Sequence, residues 1–161
     1  MQLVEKIKCL KEGEQLISPS GKWIATRSQE RTFTKILLGE HPPIVFNEVD
    51  FIDNAVQLLK KHAAFIQHDF TFATQNRTTQ QLGETNRAIQ PNQIFIEEGA
   101  QISCANLNAS EGPIYIGREA VIMEGASLRG PIVIGNKAVV KMNTSIYGST
   151  TIGPYCLADL S

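Results

Sequence analysis

The sequence contains Gly112-Pro-Ile-Tyr-Ile-Gly117, Gly130-Pro-Ile-Val-Ile-Gly135 and Gly148-Ser-Thr-Thr-Ile-Gly153, three similar segments spaced eighteen residues apart. A shorter period lies within this one, because an aliphatic residue or alanine returns at every sixth position: Ile116, Ile122, Leu128, Ile134, Val140, Ile146, Ile152 and Ala158. Three sixes make eighteen, which indicates a coil with three flat faces. The pattern therefore predicts a parallel β-helix built from hexapeptide repeats.

Small residues follow most of the aliphatic positions at a distance of four, as the narrow interior of a three-sided coil requires. They are Ala120, Ala126, Ala138, Thr144, Thr150 and Cys156, with Ile132 as a large exception. Cys156 is therefore expected to pack inside its coil. We expect glycine and asparagine to serve the turns, where a positive φ costs them little. The candidates are Gly117, Gly125, Gly135, Asn136, Asn143, Gly148 and Gly153.

The six-residue spacing begins earlier but contains a slip. Ile96 and Ile102 keep the spacing, and counting on from Ile102 leads to Ile114, whereas the later register starts at Ile116. Two extra residues are therefore expected within residues 106–112, at a bulged corner. That corner is either a plain loop or a functional protrusion.

Composition limits the class of protein. The chain has 161 residues and a net charge of −1, which suits one ordinary domain or two small ones. It has no basic patch interleaved with aromatic residues, no apolar run of membrane-spanning length and no signal-peptide pattern, so we expect neither a nucleic-acid nor a membrane partner. Cys9, Cys104 and Cys156 are odd in number and widely spaced, which favours free thiols and a cytoplasmic location.

The first 90 residues predict a mixed α+β segment that ends in a polar connector. We expect a short helix at 3–12, strands at 22–27 and 34–38, and a longer helix at 50–66. The longer helix has an apolar stripe of 3.6-residue period, formed by Ile52, Ala55, Val56, Leu59, Ala63 and Ile66. Asn47 or Asp50 is expected to cap it. The predicted domains are residues 1–90 and the β-helix of residues 91–161.

Several segments together resemble one protein family. They are Leu3-Val-Glu-Lys-Ile-Lys-Cys-Leu-Lys-Glu-Gly-Glu14, Thr85-Asn-Arg-Ala-Ile89, Ile94-Phe-Ile-Glu-Glu-Gly-Ala100, Gly112-Pro-Ile-Tyr-Ile-Gly117, Ile122-Met-Glu-Gly-Ala126, Arg129-Gly-Pro131, Ile146-Tyr-Gly148 and Thr151-Ile-Gly-Pro-Tyr-Cys156. The set resembles the sugar nucleotidyltransferases of Bacteroidetes type, which are similar in layout to the bifunctional N-acetylglucosamine-1-phosphate uridyltransferase. The resemblance spans nearly the whole chain and is most specific at residues 94–156. It implies a nucleotidyltransferase-like α/β domain followed by a left-handed β-helix.

The same resemblance implies an activity and an assembly. Family members transfer a nucleotidyl group from a nucleoside triphosphate to a sugar 1-phosphate with Mg²⁺, and hexapeptide helices commonly assemble side by side as homotrimers. Members also carry a nucleotide-holding strand and loop ahead of the position that matches Met1, and further coils beyond the one that matches Cys156. We therefore expect this chain to be an internal piece of a longer protein and to be inactive alone.

Candidate site residues are few, and no catalytic residue is assigned. Glu48, Asp50 and Asp53 form an acidic cluster, with Asp50 and Asp53 as candidate Mg²⁺ ligands. The alternative is that these acids favour the helix N-terminus through its dipole. Asn86 and Arg87 lie where the resemblance places the end of the catalytic domain. They are candidate substrate-binding residues, or else part of a plain connector.

Two other functions remain open. Hexapeptide acyltransferases use a histidine as general base, whereas His41, His62 and His68 all precede the coils, which opposes acyl transfer by this chain alone. The remaining alternative is a non-catalytic trimerisation stem. The charged residues expected to stand outward on the coils serve either solubility or ligand contact; they are Glu97, Glu98, Glu124, Arg129 and Lys141.

Overall fold

The computed structural model describes residues 2–12, 14–27, 43–47 and 51–159. The predicted strand at 34–38, together with His41, Glu48 and Asp50, lies outside the described residues. The chain forms two compact units, Met1–Asp53 and Asn54–Ser161.

The first unit contains a short helix and a small sheet. Helix α1 spans Gln2–Lys8, and strands β1 (Gln15–Ile17), β2 (Trp23–Thr26) and β3 (Ile44–Val45) form a sheet in the order β2-β1-β3. β2 runs antiparallel to β1, and β3 runs parallel to it. The buried core of this unit consists of Leu10, Leu16 and Phe46. β2 lies within the predicted strand, whereas β1 and β3 are too short to give a periodic signal.

The second unit begins with a long helix, and the predicted bounds of this helix were wrong. Helix α2 spans Ala55–Thr74, and the side chain of Asn54, rather than Asn47 or Asp50, caps it by accepting a 2.9 Å hydrogen bond from the Gln57 amide. This bond satisfies one of the free amides of the first turn, which fixes the start of the helix at this residue. Ile66 is buried, whereas Val56 and Leu59, also in the predicted apolar stripe, are 59% and 71% exposed.

Four coils of three short strands follow and form a left-handed parallel β-helix, as predicted. The first coil contains β4 (Arg87–Ile89), a 3₁₀ turn (Pro91–Gln93), β5 (Ile94–Ile96) and β6 (Gln101–Ile102). The second contains β7 (Asn106–Asn108), β8 (Ile114–Ile116) and β9 (Val121–Ile122). The third contains β10 (Ser127–Arg129), β11 (Ile132–Ile134) and β12 (Val139–Val140). The fourth contains β13 (Ser145–Tyr147), β14 (Thr150–Ile152) and β15 (Leu157–Ala158).

Stacking of the coils produces three four-stranded parallel sheets, which we number as faces. Face 1 consists of β4, β7, β10 and β13; face 2 of β5, β8, β11 and β14; and face 3 of β6, β9, β12 and β15. From the second coil onward the aliphatic residues of the six-residue period lie inside, as expected. Ile116, Ile122, Leu128, Ile134 and Val140 are at most 1% exposed. Their partners in the fourth coil, Ile146, Ile152 and Ala158, are partly buried.

The positive φ predicted for seven turn residues is confirmed at three of them and wrong at four. Gly125, Gly148 and Asn143 have positive φ, but Gly117, Gly135, Asn136 and Gly153 do not; at that corner the left-handed residues are Glu119, Lys137 and Tyr155. Gly135 is required by close approach instead, because a Cβ there would lie 2.5 Å from the backbone nitrogen of Pro154 in the next coil. Glycine at this corner therefore lets successive coils touch backbone to backbone.

The slip in the repeat has the predicted net size of two residues, but it is divided between two corners. Asn106 pairs with Ser127, twenty-one residues on, whereas Ile114 pairs with Ile132, eighteen residues on. The corner at residues 109–113 is therefore three residues longer than its counterpart in the third coil. The corner at 103–105 is one residue shorter than its counterpart. The longer corner stands beside face 1.

Two small-residue positions of the fourth coil differ from the rest. Cys156 was predicted to pack inside, but it is exposed, because no strand of the described chain stacks on this coil on the side away from the third. Thr144 is 2% exposed, and its Oγ1 has no hydrogen-bond partner among the described residues. An unpaired buried hydroxyl destabilises the folded state by the cost of removing it from water.

Replacing Thr144 by valine is expected to raise the free energy of unfolding by about 1 kcal/mol, because a methyl group of similar shape needs no partner. Urea denaturation followed by circular dichroism measures the change. Thr150→Val is the matched control, since Thr150 Oγ1 donates to the Tyr147 carbonyl at 3.5 Å. Removing this hydroxyl should not raise the free energy of unfolding. A destabilised Thr144→Val protein would show that the hydroxyl has a partner in solution.

Candidate functional site

Helix α2 lies across face 2 of the β-helix. At the eighth residue of the helix, His62 Nε2 lies 3.0 Å from Thr151 Oγ1 on β14. Beyond its end, the guanidinium of Arg77 lies 5.1 Å from the centre of the Phe95 ring on β5. These two contacts hold the helix and the residues after it over this face, with Ile66 buried between them.

A cluster of four side chains anchors the segment after α2 to the first two coils. Arg77 donates to Glu97 Oε1 at 2.6 Å, and the Tyr115 hydroxyl donates a short hydrogen bond to the same oxygen. The rings of Phe95 and Tyr115 are register partners on β5 and β8 and stack with centroids 5.7 Å apart. Both groups that bind the Glu97 carboxylate are thus held on a rigid aromatic surface.

The charges in this cluster support one another. Burial alone would raise the pKa of Glu97, but the hydrogen bonds from Tyr115 and Arg77 outweigh it, so that the pKa of Glu97 is lowered from its ordinary value of 4.5. The pKa of Tyr115 is raised by burial and by its bond to Glu97, and the pKa of Arg77 is raised by its bond to Glu97. The arrangement holds a stable carboxylate; it does not provide a proton donor or acceptor near neutral pH.

Glu97→Gln is expected to lower the free energy of unfolding by about 1.5 kcal/mol at pH 7, because two hydrogen bonds to a charged acceptor become weaker. A carboxylate with a lowered folded-state pKa stabilises the fold above its ordinary pKa of 4.5, and this contribution is lost as the pH falls through the lowered value. The difference between wild type and Glu97→Gln should therefore shrink in acid. Thermal unfolding at several pH values measures it, and Glu98→Gln, at the exposed neighbouring residue, is the control. An equal effect of the two substitutions would contradict this role.

The two candidate substrate-binding residues occupy different environments. The Asn86 amide donates to the carbonyls of Gly83 and Ile102 at 3.1 and 2.9 Å, and its oxygen accepts from the Ala105 amide at 2.9 Å. These bonds hold the corner before the first coil. Arg87 is the exposed first residue of β4 and the register partner of Asn106 on face 1.

Face 1 carries a groove of about 640 Å³, a volume typical of small-molecule sites. Two rows of side chains run along it in register. Asn106, Ser127 and Ser145 form one row, and Asn108, Arg129 and Tyr147 form the other. Ile89 lies at one end, and Leu128 and Ile146 form part of the floor. We call this surface the face 1 groove. Of its residues, the sequence analysis named only Arg129 as an outward side chain, one that serves solubility or ligand contact.

An ion pair closes one side of the face 1 groove. Arg129 donates to Glu111 Oε1 at 3.0 Å, and both side chains are about half exposed. Glu111 lies in the long corner at 109–113, so the inserted residues bring a carboxylate to the guanidinium. The insertion was visible in the sequence as an irregular corner, but the groove beside it was not, because its residues depend on the strand register.

The predicted metal site is only partly within the described residues. Asp50 and Glu48 lie outside them. The Asp53 carboxylate forms a short ion pair with the Lys22 ammonium, and the Lys22 ammonium also lies 5.2 Å from the centre of the Phe51 ring. Among the described residues, no group of three or more His, Cys, Asp or Glu side chains is placed to hold a metal ion.

Comparison with known proteins adds no assignment. No protein-family model matches the chain, and neither a curated protein nor a solved structure gives a significant match. Within the described residues, no helix is long and apolar enough to cross a membrane. The fold is a parallel β-helix, which is compatible with the hexapeptide-repeat proteins.

Proposed function

We propose that this chain is part of a sugar-1-phosphate nucleotidyltransferase-like protein, in which it supplies the β-helix stem. The parent protein would join a nucleoside triphosphate and a sugar 1-phosphate, forming a nucleotide-sugar and releasing pyrophosphate. The observation that carries the proposal is the layout, an α+β segment followed by a β-helix of hexapeptide coils. The repeated Gly-Pro-Ile segments and the other matched motifs agree with that layout.

Nucleotidyl transfer requires a phosphate cradle, a divalent cation and positioned carboxylates. In the family that this chain resembles, the nucleotide-holding strand and loop precede the position of Met1. Mg²⁺ belongs to the same catalytic part, and Asp50 and Asp53 remain candidate ligands. The pairing of Asp53 with Lys22 opposes a second cation at that oxygen, so no step is assigned to it.

The test is pyrophosphate release across the four nucleoside triphosphates and several sugar 1-phosphates. This chain should be compared with a version extended by the sequence that precedes it in its gene. We expect no release from the chain alone and release from the extended version. Absence of release from both would contradict the proposal.

We also propose a homotrimer that assembles through the β-helix, in the cytoplasm, where free thiols such as Cys9, Cys104 and Cys156 persist. Face 2 is covered by α2, whereas face 3 presents an in-register row of Val121, Val139 and Leu157. Leu157 is 59% exposed in the single chain. An apolar row of this kind favours contact with another copy.

The expected mass in multi-angle light scattering is three times the 17.7 kDa of one chain. Leu157→Glu should shift the mass toward that of one chain, because it places a charge in the apolar row. Gln101→Glu, at the polar end of the same face, is the matched control and should leave the mass unchanged. A monomeric wild-type chain at micromolar concentration would contradict the assembly.

A further inference from the structure

We propose that the face 1 groove binds a neutral saccharide. None of the residues that line the groove is a candidate for nucleotidyl transfer, so saccharide binding there can be tested separately from the proposed function. It depends on the arrangement of donors, acceptors and apolar surface in the groove, and on the pairing of its charges.

The face 1 groove offers a regular array of hydrogen-bonding groups. Neighbouring strands of a parallel sheet are about 4.8 Å apart, so Asn106, Ser127 and Ser145 present an amide and two hydroxyls at even intervals along one row. Asn106 Nδ2 reaches Ser127 Oγ at 3.4 Å, which aligns neighbouring members of the row. Amides and hydroxyls both donate and accept, and this is what a ligand with many hydroxyl groups requires.

An apolar side chain at each end of the groove, with Asn108 and Arg129 between them, offers a surface for the carbon skeleton of a sugar ring. Tyr147 is 79% exposed and Ile89 is 54% exposed, and both line the groove. An exposed aromatic ring with a polar tip can pack on the C–H face of a ligand while its hydroxyl hydrogen-bonds. A few polar groups set among apolar ones are the usual composition of a small-molecule site.

The charges of the groove favour a neutral ligand over a phosphate. Among the residues that line the groove, only Arg129 carries a guanidinium, and Glu111 balances its charge at 3.0 Å. The exposed Arg87, in register with Asn106, lies outside this lining. A phosphate would have to displace that carboxylate or lie close to it, which like-charge repulsion opposes. A sugar hydroxyl, in contrast, can donate to Glu111 and accept from Arg129 without separating them.

Two smaller cavities within the described residues do not offer this chemistry. They have volumes of about 140 and 230 Å³ and are lined in part by the segment at 79–83. The Gln80 amide in both is already used, because its nitrogen donates to the Ala100 carbonyl and its oxygen accepts from the Gly99 amide, each at 2.9 Å. These cavities belong to the packing at the end of the helix.

Isothermal titration with maltotetraose and chitotetraose, with inorganic phosphate and ADP as anionic probes, tests the inference on the intact chain. We expect at least one tetrasaccharide to bind with a Kd of about 1 mM or tighter, and phosphate and ADP to bind more weakly. Tyr147→Ala should weaken saccharide binding about tenfold. Tyr155→Ala is the matched control, because Tyr155 is 75% exposed in the same coil but lies outside the groove.

Glu111→Gln provides a second, independent readout. It removes the carboxylate beside Arg129, so the affinity for phosphate should increase. Tyr147→Ala should still weaken saccharide binding in this background. The inference is overturned if neither tetrasaccharide binds, if Tyr155→Ala weakens binding as much as Tyr147→Ala, or if wild type prefers phosphate or ADP. Loss of self-association in Tyr147→Ala, with no saccharide binding to wild type, would instead assign the groove to contact between copies of the chain.

Discussion

Gly135→Ala is expected to lower the free energy of unfolding by about 3 kcal/mol. A Cβ at this position would lie 2.5 Å from the Pro154 nitrogen and 2.7 Å from the Gly153 carbonyl carbon. Backbone atoms of the adjacent coil cannot move aside as a flexible side chain does, so the two coils must separate or tilt. Urea denaturation measures the loss.

Gly153→Ala is the matched control for this substitution, because Gly153 occupies the same corner one coil later. A Cβ there would have Cys156 Sγ at 3.5 Å as its nearest neighbour, which is an ordinary contact. We expect a change within about 0.5 kcal/mol, as for most surface substitutions. Equal losses at the two positions would show that the glycines are needed for a reason other than coil stacking.

Ile134→Ala is expected to cost about 4 kcal/mol, within the range for truncation of a fully buried isoleucine. Ile134 is 0% exposed and lies in register between Ile116 and Ile152. The coils on both sides restrict collapse of the cavity, so the loss should lie toward the upper part of the range. The midpoint of urea denaturation reports the change if the slope of the transition is unaffected.

Ile152→Ala is the control, because Ile152 occupies the same column in the fourth coil but is only partly buried. Its truncation should cost less than half as much as that of Ile134. A similar cost at the two positions would mean that Ile152 is covered in solution, for example by a further copy of the chain. A small cost at Ile134 would contradict its placement in the core.

The interior of the β-helix was predictable from the sequence because each coil repeats the same packing problem. One large inward residue per face and one small residue per corner give a period of six, and the buried positions of Ile116 to Val140 follow it. The backbone conformation of the corners was less predictable from the sequence. Glu119, Lys137 and Tyr155 adopt positive φ, although their side chains give no sign of it. The neighbouring Gly117 and Gly135 are explained by contacts between coils.

The face 1 groove was beyond sequence reasoning for a different reason. Its residues are outward, where the period does not constrain residue type, and their neighbours depend on the register. Counting back eighteen from Ser127 leads to Ala109, whereas its partner is Asn106. The same limit applies to Glu97, which was assigned to an outward charged surface and instead binds Arg77 and Tyr115. Contacts between residues far apart in the chain decide both sites.

The position of α2 illustrates how local signals compete. Apolar periodicity predicted a helix at 50–66, whereas the helix begins after its cap Asn54 and ends at Thr74. The periodic signal located the element, whereas its start is set by the hydrogen bond from the Gln57 amide to Asn54. The acidic residues proposed as Mg²⁺ ligands precede this helix, and their role stays a prediction.

The most direct test of the account is nuclear Overhauser spectroscopy on the intact chain, aimed at β11. Register places Ile134 beside Ile116 on one side and Ile152 on the other, with strands about 4.8 Å apart. We expect parallel-strand contacts from β11 to both β8 and β14, each eighteen residues away. Antiparallel contacts between β11 and the adjacent β10, or contacts from β11 to one strand only, would contradict the β-helix and the groove that depends on it.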